Sequence, residues 1–130
     1  MAVYGIGAYW DGTEDVSEEF IHNGIACIGW DISDAPTLFQ VMKFIKNGDI
    51  IYIKAAPPGQ FIIKAVGIVI NNEIQPRENM GSCIQVNWLW SGNEHLNISD
   101  KYNVRNNTLY EEFNLEVQTW AIDHIIQNRQ

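Results

Sequence analysis

The sequence predicts an α+β fold, in which a curved, partly closed β-barrel of five to six strands carries three helices at its sides. The first observation is size: 130 residues, 46% of them hydrophobic and 18% charged, suit a single domain over residues 1–130 with a substantial core. The second is a series of short apolar segments rich in β-branched and aromatic residues, separated by turn residues. The third is glycine inside several of these segments, which is typical of strands that bend or pack closely.

The predicted strands are apolar runs bounded by Gly, Pro, Asn or Asp. The first contains Gly5 and Gly7, where another element can approach closely, and the fourth contains Gly67 as a bulge or barrel bend. Polar stretches at 71–81 and 91–107 are predicted to be loops. The six strands are expected at residues 2–10, 25–30, 49–55, 60–70, 82–90 and 108–113.

The predicted helices follow from capping residues and apolar periodicity. Thr13 is expected to cap the first helix, and Gly24 marks its end. Pro36 suits the first turn of the second helix, while Asn114 is expected to cap a third that runs to about residue 127. Apolar residues at helical spacing should face the core in the last two helices: Leu38, Val41, Met42 and Ile45, then Val117, Ala121, Ile122 and Ile125.

The charge is acidic overall but unevenly distributed. A net charge of −8 argues against a protein that grips a long nucleic-acid backbone, because such binding uses Lys and Arg to displace counterions. Between residues 35 and 72, however, four lysines stand against one acid, which leaves +3 in this window and −11 elsewhere. A local basic face and ordinary solvated lysines both fit this pattern. The lysines are Lys43, Lys46, Lys54 and Lys64.

The two cysteines, Cys27 and Cys83, are too few for a disulfide framework and lack the spacing of a zinc or redox motif. We expect two small buried side chains, with a local disulfide or a reactive thiol as the alternatives. No apolar run reaches the roughly 18 to 20 residues of a membrane span, and the first residues do not resemble a signal peptide. The expectation is therefore a cytoplasmic protein without membrane contact.

Sequence motifs of catalysis are missing: there is no GxSxG, no P-loop, no HExxH and no Cys/His pair at a motif spacing. The three histidines are scattered along the chain. The carboxylates of Asp11, Asp15, Asp31 and Asp34 lie beside Gly, Thr, Ser or Pro, where turns and helix caps explain them. We therefore expect no enzyme, no cofactor and no metal site.

Aromatic residues are more informative. Tyr9 and Trp10 lie where a predicted strand runs into a loop, and Trp30 lies at the end of another, so their rings are expected to converge at one rim. Aromatic rings at loop edges suit stacking on a flat ligand such as a nucleobase. Core packing is the competing explanation for these side chains. For Trp88, Trp90 and Trp120, packing in the core or an interface is the favoured interpretation.

Five segments that lie within residues 5 to 88 carry a family resemblance: GAYWDG, FIHNGIACIGWD, LFQVMKFIKNGDIIYIKA, IIKAVGIVI and IQVNW. They contain a tryptophan that closes strand one, a Gly-aromatic-Asp turn, a helix ending in Ile-Lys-x-Gly-Asp and a lysine-bearing strand. This ordered set resembles the EVE-like branch of the PUA-like superfamily. Members of that branch occur alone and as N-terminal specificity modules of modification-dependent restriction AAA+ proteins.

The resemblance implies a PUA-like barrel that holds a modified base, such as a methylated purine or a modified cytosine, in an aromatic cage. Carried over position by position, it points to Trp10, Trp30 and Asp31, and further to Tyr9 and Lys54. It also implies a setting in defence against foreign DNA or in RNA metabolism.

One position departs from the family pattern. Some relatives have a tryptophan directly after the Gly-Ile of strand two, whereas this chain has Ala26 and Cys27. The cage is then completed by Trp30 or by an aromatic of the long loop such as Tyr102, or else the ligand is smaller or different.

Two functions from different classes follow. The first is non-catalytic binding of a modified base or nucleotide of DNA or RNA, with Trp10 and Trp30 stacking on it and Asp31 reading its edge. The second is a protein-interaction module that acts with a partner nuclease or ATPase through the segment 88–90, as a monomer or weak homodimer.

Overall fold

The computed structural model describes residues 1–10, 14–55, 57, 60–98 and 107–129. Three predictions fall outside these residues: the turn at Asp11, the helix cap at Thr13 and the loop aromatic Tyr102. Within the described ranges the chain is α+β, with three helices and a strongly curled six-stranded sheet that forms a half-barrel. The predicted class and the curvature of the sheet are therefore confirmed.

The strands are β1 Val3–Gly7, β2 Tyr9–Trp10, β3 Glu14–Asp15, β4 Ile25–Ile28, β5 Ile50–Ala55, β6 Ile62–Arg77, β7 Gly81–His95 and β8 Leu109–Glu111. The main sheet has the order β4-β7-β6-β5-β1-β8. Its neighbours pair antiparallel except β1 and β5, which run parallel. A second, two-stranded ribbon of β2 and β3 follows the end of β1.

The helices are α1 Ser17–Asn23, α2 Pro36–Phe44 and α3 Leu115–Asn128. Their ends follow the predicted signals: Gly24 closes α1 in the left-handed conformation with φ 64°, and Pro36 occupies the first turn of α2. Asn114 Oδ1 accepts hydrogen bonds from the backbone N–H groups of Glu116 and Val117, at 2.9 and 3.2 Å. The first helix is shorter than predicted, because residues 14–15 pair with β2 instead of forming its first turn.

The hairpin of β6 and β7 is longer than predicted at both ends. The polar residues 71–77 and 91–95, expected in loops, continue the two strands. Backbone hydrogen bonds of a ladder do not require apolar side chains, and these residues are mostly exposed. Gly67 does mark a bulge, since the register shifts beside it and an added Cβ would lie 2.5 Å from Asn87 O.

Both faces of the sheet are covered. On one face, α1 and α2 close a core that includes Phe20, Phe39 and Met42. On the other face, α3 packs over a core that includes Tyr52 and Val117. Buried side chains therefore point to both sides of the sheet, which explains why its central strands read as nearly continuous apolar runs.

The three residues 88–90 contact these two cores and are half-buried. Trp88 packs with the first core and its Nε1 donates to Ile25 O at 3.1 Å. The register shift places Leu89 and Trp90 with the second core, where Trp90 meets Trp120 edge to face at 5.1 Å. Packing of Trp88, Trp90 and Trp120 against the core, the favoured interpretation, is therefore confirmed. The bulge explains why Trp88 and Trp90, two residues apart, contact opposite faces of the sheet.

The two cysteines also differ from the expectation of buried thiols. Cys27 on β4 and Cys83 on β7 are direct partners in the antiparallel register and form a disulfide, with Cα atoms 4.1 Å apart. The cysteines are 56 residues apart in the sequence, and only the pairing of β4 with β7 brings them together. The sequence alone therefore did not show that they are close.

Among the residues that the structure describes, no helix is both long enough and apolar enough to cross a membrane.

Candidate functional site

A cavity of about 670 Å³ opens where several strands end, between the β2–β3 ribbon and the main sheet. The ends of the parallel strands β1 and β5 form one side, and the residues after β4 form another. The lining comprises Gly7, Ala8, Tyr9, Trp10, Asp15, Gly29, Trp30, Lys54, Ala55, Pro57, Lys64 and Thr108.

The structure brings four of the five predicted site residues into this cavity: Tyr9, Trp10, Trp30 and Lys54. They come from three separate parts of the chain. The fifth, Asp31, is exposed and does not line the cavity. Its carbonyl oxygen instead accepts hydrogen bonds from the backbone of Asp34 and Ala35, each at 3.0 Å, in the turn that leads into α2.

The three rings play different roles in the wall. Trp30 and Tyr9 are 54% and 60% exposed, so their faces are open to a ligand. Trp10 is half-buried and packs edge to face on Phe20, with centroids 6.2 Å apart. Tyr9 and Trp30 are therefore the two open rings of the cavity, and Trp10 is the more buried one.

Gly29 fixes the position of Trp10. A Cβ at Gly29 would lie 3.3 Å from three carbon atoms of the indole, so the ring rests directly against the backbone there. Trp10 Nε1 is buried and has no hydrogen-bond partner among the described residues. This orphan donor is unusual, because buried polar groups are normally satisfied by protein or water.

Lys54 supplies positive charge at the end of β5. It stands opposite Gly7 in the parallel register, and a Cβ at Gly7 would lie 3.4 Å from Lys54 Cε. The lysine stem therefore runs alongside β1 at van der Waals distance. The ammonium lies 6.0 Å from the ring centroid of Tyr110, and burial lowers the pKa of Lys54 below its ordinary value. An anionic group in the cavity would offset this desolvation.

Two further charged residues line the cavity and were not predicted as site residues. Lys64 Nζ forms an ion pair with Asp15 Oδ2 at 2.6 Å, joining the β2–β3 ribbon to the main sheet. Asp15 Oδ1 accepts hydrogen bonds from Ser17 N and Oγ, which is the local turn contact expected of an aspartate at this position. Burial opposes ionisation, but the hydrogen bonds from Lys64 and Ser17 outweigh it and lower the pKa of Asp15. Lys64 was visible only as part of the basic window.

A buried hydroxyl network lies beneath Lys54. Tyr52 Oη donates to Glu112 Oε1 and lies 2.7 Å from Tyr110 Oη, while Glu112 Oε2 accepts from Asn114 N. Burial, followed by the proximity of Tyr110 and Glu112, raises the pKa of Tyr52 well above its ordinary value. Gly5 makes this packing possible, because a Cβ there would lie 2.7 Å from Tyr52 Cζ and closer still to Tyr110. The network therefore links β5 to β8 and to the residue that caps α3.

The described residues that line the cavity include two open rings, a half-buried third, two lysines and one aspartate: Tyr9, Trp30, Trp10, Lys54, Lys64 and Asp15. Open aromatic rings beside cations are groups that can contact a flat, negatively charged molecule. Among the described residues, no group of three or more His, Cys, Asp or Glu side chains is placed to hold a metal ion.

Comparison with models of known protein families gave no match, and comparison with curated proteins gave none either.

Proposed function

We propose that this cavity binds a modified nucleobase or nucleotide without transforming it, and that the chain is an EVE-like domain of the PUA-like superfamily. The observation that carries the proposal is the convergence of Tyr9, Trp10, Trp30 and Lys54, from three parts of the chain, in one cavity. The curled half-barrel is compatible with the proposed family.

The size of the cavity fits such a ligand. A volume of about 670 Å³ falls within the range typical of small-molecule sites, and one base with its sugar fits inside it. The open faces of Trp30 and Tyr9 offer stacking surfaces, and each stacked base contributes about 1 to 3 kcal/mol in comparable sites. Recognition by stacking then requires a base that is already unpaired or flipped out of a duplex.

Charge selects the form of the ligand. The protein carries −8 overall, so a long duplex would be repelled away from the cavity. Inside the cavity, Lys54 provides a cation beside the stacking rings. We therefore propose a nucleotide or a short single strand as the ligand, with its phosphate near Lys54.

The test is a tryptophan-fluorescence titration with adenosine, N6-methyladenosine, cytidine and 5-methylcytidine, and then with the same bases in short single strands and duplexes. We expect one modified base to quench selectively and Trp30→Ala to weaken its binding at least about tenfold, which corresponds to the loss of one stacked base. Phe44→Ala is the matched control, because Phe44 is a 71% exposed aromatic on α2 outside the cavity lining.

Equal binding by the wild type and the Trp30→Ala variant would contradict the proposal, as would no quenching by any member of the panel. Equal losses in the Trp30→Ala and Phe44→Ala variants would place the ligand elsewhere on the surface.

A pH dependence should report the role of Lys54. Because burial lowers the pKa of this ammonium below 10.5, it loses its proton at a lower pH than an ordinary lysine. Binding of the nucleoside 5′-monophosphate should therefore weaken as pH rises through this pKa, while binding of the uncharged nucleoside stays constant. The measurement is the ratio of the two dissociation constants from pH 7.5 to 10.5.

In the Lys54→Met variant, this ratio should lose its dependence on pH. Lys43→Met is the control, since Lys43 is exposed on α2 and does not line the cavity. A pH dependence that persists in the Lys54→Met variant would assign the phosphate contact to another group.

A further inference from the structure

The Cys27–Cys83 disulfide lies directly behind one wall of the cavity. It joins β4 to β7, and only Ile28 separates Cys27 from Gly29 and Trp30, both of which line the cavity. Gly29 in turn is the surface on which the Trp10 indole rests. The covalent link and the aromatic wall therefore belong to one short segment, residues 27–30.

Within the sheet, this segment is held from one side. β4 has four residues and stands at the end of the sheet order, so β7 is its one sheet neighbour among the described strands. The start of β7 packs closely on it, since a Cβ at Gly81 would lie 2.9 Å from Gly29 Cα. The side chains of β4 are buried in the first core, so opening of this edge strand breaks one short ladder and lifts these side chains from that core. Such a local opening would expose the buried disulfide to solvent.

We propose that Cys27–Cys83 is a redox-reactive pair, reduced by a small or protein dithiol, and that its reduction loosens residues 25–30 and weakens ligand binding in the cavity. The second half of the proposal rests on the proposed function. The first half concerns the disulfide and its strand alone.

The reduction is an ordinary thiol–disulfide exchange. A thiolate of the dithiol attacks one sulfur of the pair, forms a mixed disulfide and releases the other cysteine as a thiolate. The second thiol of the reductant then displaces the first sulfur. Two electrons and two protons pass from the dithiol to the protein, which leaves two cysteine thiols and an oxidised, cyclic reductant.

Loosening should affect Trp30 more than the rest of the cavity. Lys54 and Tyr9 lie on other strands, which keep their own ladders when β4 opens. If only about a tenth of the reduced molecules keep Trp30 in place, the apparent affinity falls about tenfold.

The first experiment uses dithiothreitol as the dithiol, with thiols counted by alkylation and mass spectrometry. Backbone hydrogen exchange of residues 25–30 should become at least about tenfold faster on reduction, while exchange of β5, residues 50–55, stays unchanged. The second experiment measures the affinity for the nucleoside that quenches in the panel above, in both redox states. We expect weaker binding after reduction.

The Cys27→Ser/Cys83→Ser variant is the control and should resemble the reduced protein with or without dithiothreitol. If it does not fold, Cys27→Ala/Cys83→Val replaces the sulfurs with apolar groups suited to a buried site. Unchanged exchange of residues 25–30 in protein with two counted thiols would overturn the proposal. Faster exchange in all strands alike, or equal affinity in both redox states, would also overturn it.

Failure of the proposed function gives a different result. In that case no nucleoside binds even the oxidised protein. The loosening of residues 25–30 is then tested by acrylamide quenching of Trp30 fluorescence in the oxidised and reduced states. The Trp30 signal is the difference between the wild type and the Trp30→Phe variant. An increase in its quenching on reduction supports a loosened wall, and no change overturns it.

Discussion

Replacement of Gly5 by alanine should destabilise the protein by about 3 kcal/mol, the upper end of the cost of overpacking a core. A Cβ at this position would lie 2.5 Å from Tyr110 Oη and 2.7 Å from Tyr52 Cζ. Both rings are buried, and Tyr52 Oη is also tied to Glu112 Oε1. Neither ring can move aside without breaking a buried hydrogen bond, so overpacking and a lost polar contact add together.

Gly7→Ala is the matched control for this prediction. Gly7 belongs to the same strand, but an added Cβ there meets nothing closer than Lys54 Cε at 3.4 Å. Its cost should stay below about 1 kcal/mol in urea unfolding, since ordinary van der Waals contact carries little penalty. Tyr110→Leu should offset part of the Gly5→Ala loss in a double-mutant cycle. Equal urea-unfolding midpoints for the Gly5→Ala and Gly7→Ala variants would refute the proposed clash of the added Cβ with Tyr52 and Tyr110.

Trp10→Ala should cost about 2 to 3 kcal/mol of stability, less than a fully buried tryptophan because Trp10 is only half-buried. The indole packs on Phe20 and covers Gly29, so its removal opens a gap between the β2–β3 ribbon and the first core. Trp30→Ala should change the free energy of unfolding by less than about 0.5 kcal/mol, because the ring is largely exposed.

The two substitutions therefore separate stability from binding. Urea unfolding should distinguish the Trp10→Ala variant, and the nucleoside titration should distinguish the Trp30→Ala variant. Full stability of the Trp10→Ala variant would restore Trp10 as an open stacking ring, the role that the sequence suggested. Unfolding of the Trp30→Ala variant would instead assign Trp30 to the core.

This pair shows where sequence patterns reach their limit. Trp10 and Trp30 both follow strands and both precede polar turns, so local pattern treats them alike. Their different exposure depends on Phe20 and Gly29, which meet Trp10 only after the sheet curls. Sequence signals predicted the structure correctly where the interacting residues are close in sequence. Examples are the Asn114 cap of α3 and the end of α1 at Gly24.

The pairing of strands that are distant in sequence could not be predicted from local sequence patterns. The polar residues 71–77 extend β6 because β7 offers them a ladder, and Cys27 meets Cys83 because their strands share a register. The ion pair between Asp15 and Lys64 likewise depends on the ribbon folding back on the sheet. Each of these contacts joins segments that are distant in sequence, where propensity gives no information.

The place of β1 in the sheet has a consequence for how the protein is made. Val3 pairs with Ile50, while Tyr4 pairs with Glu111, so β1 lies between two strands that are synthesised after it. Pairings over such distances close slowly, because the loop entropy is lost before the contacts form. A nascent chain that stops before residue 109 leaves one edge of β1 without β8. The half-barrel is thus completed only when translation has passed β8, and until then an apolar strand edge stays open to association with other chains.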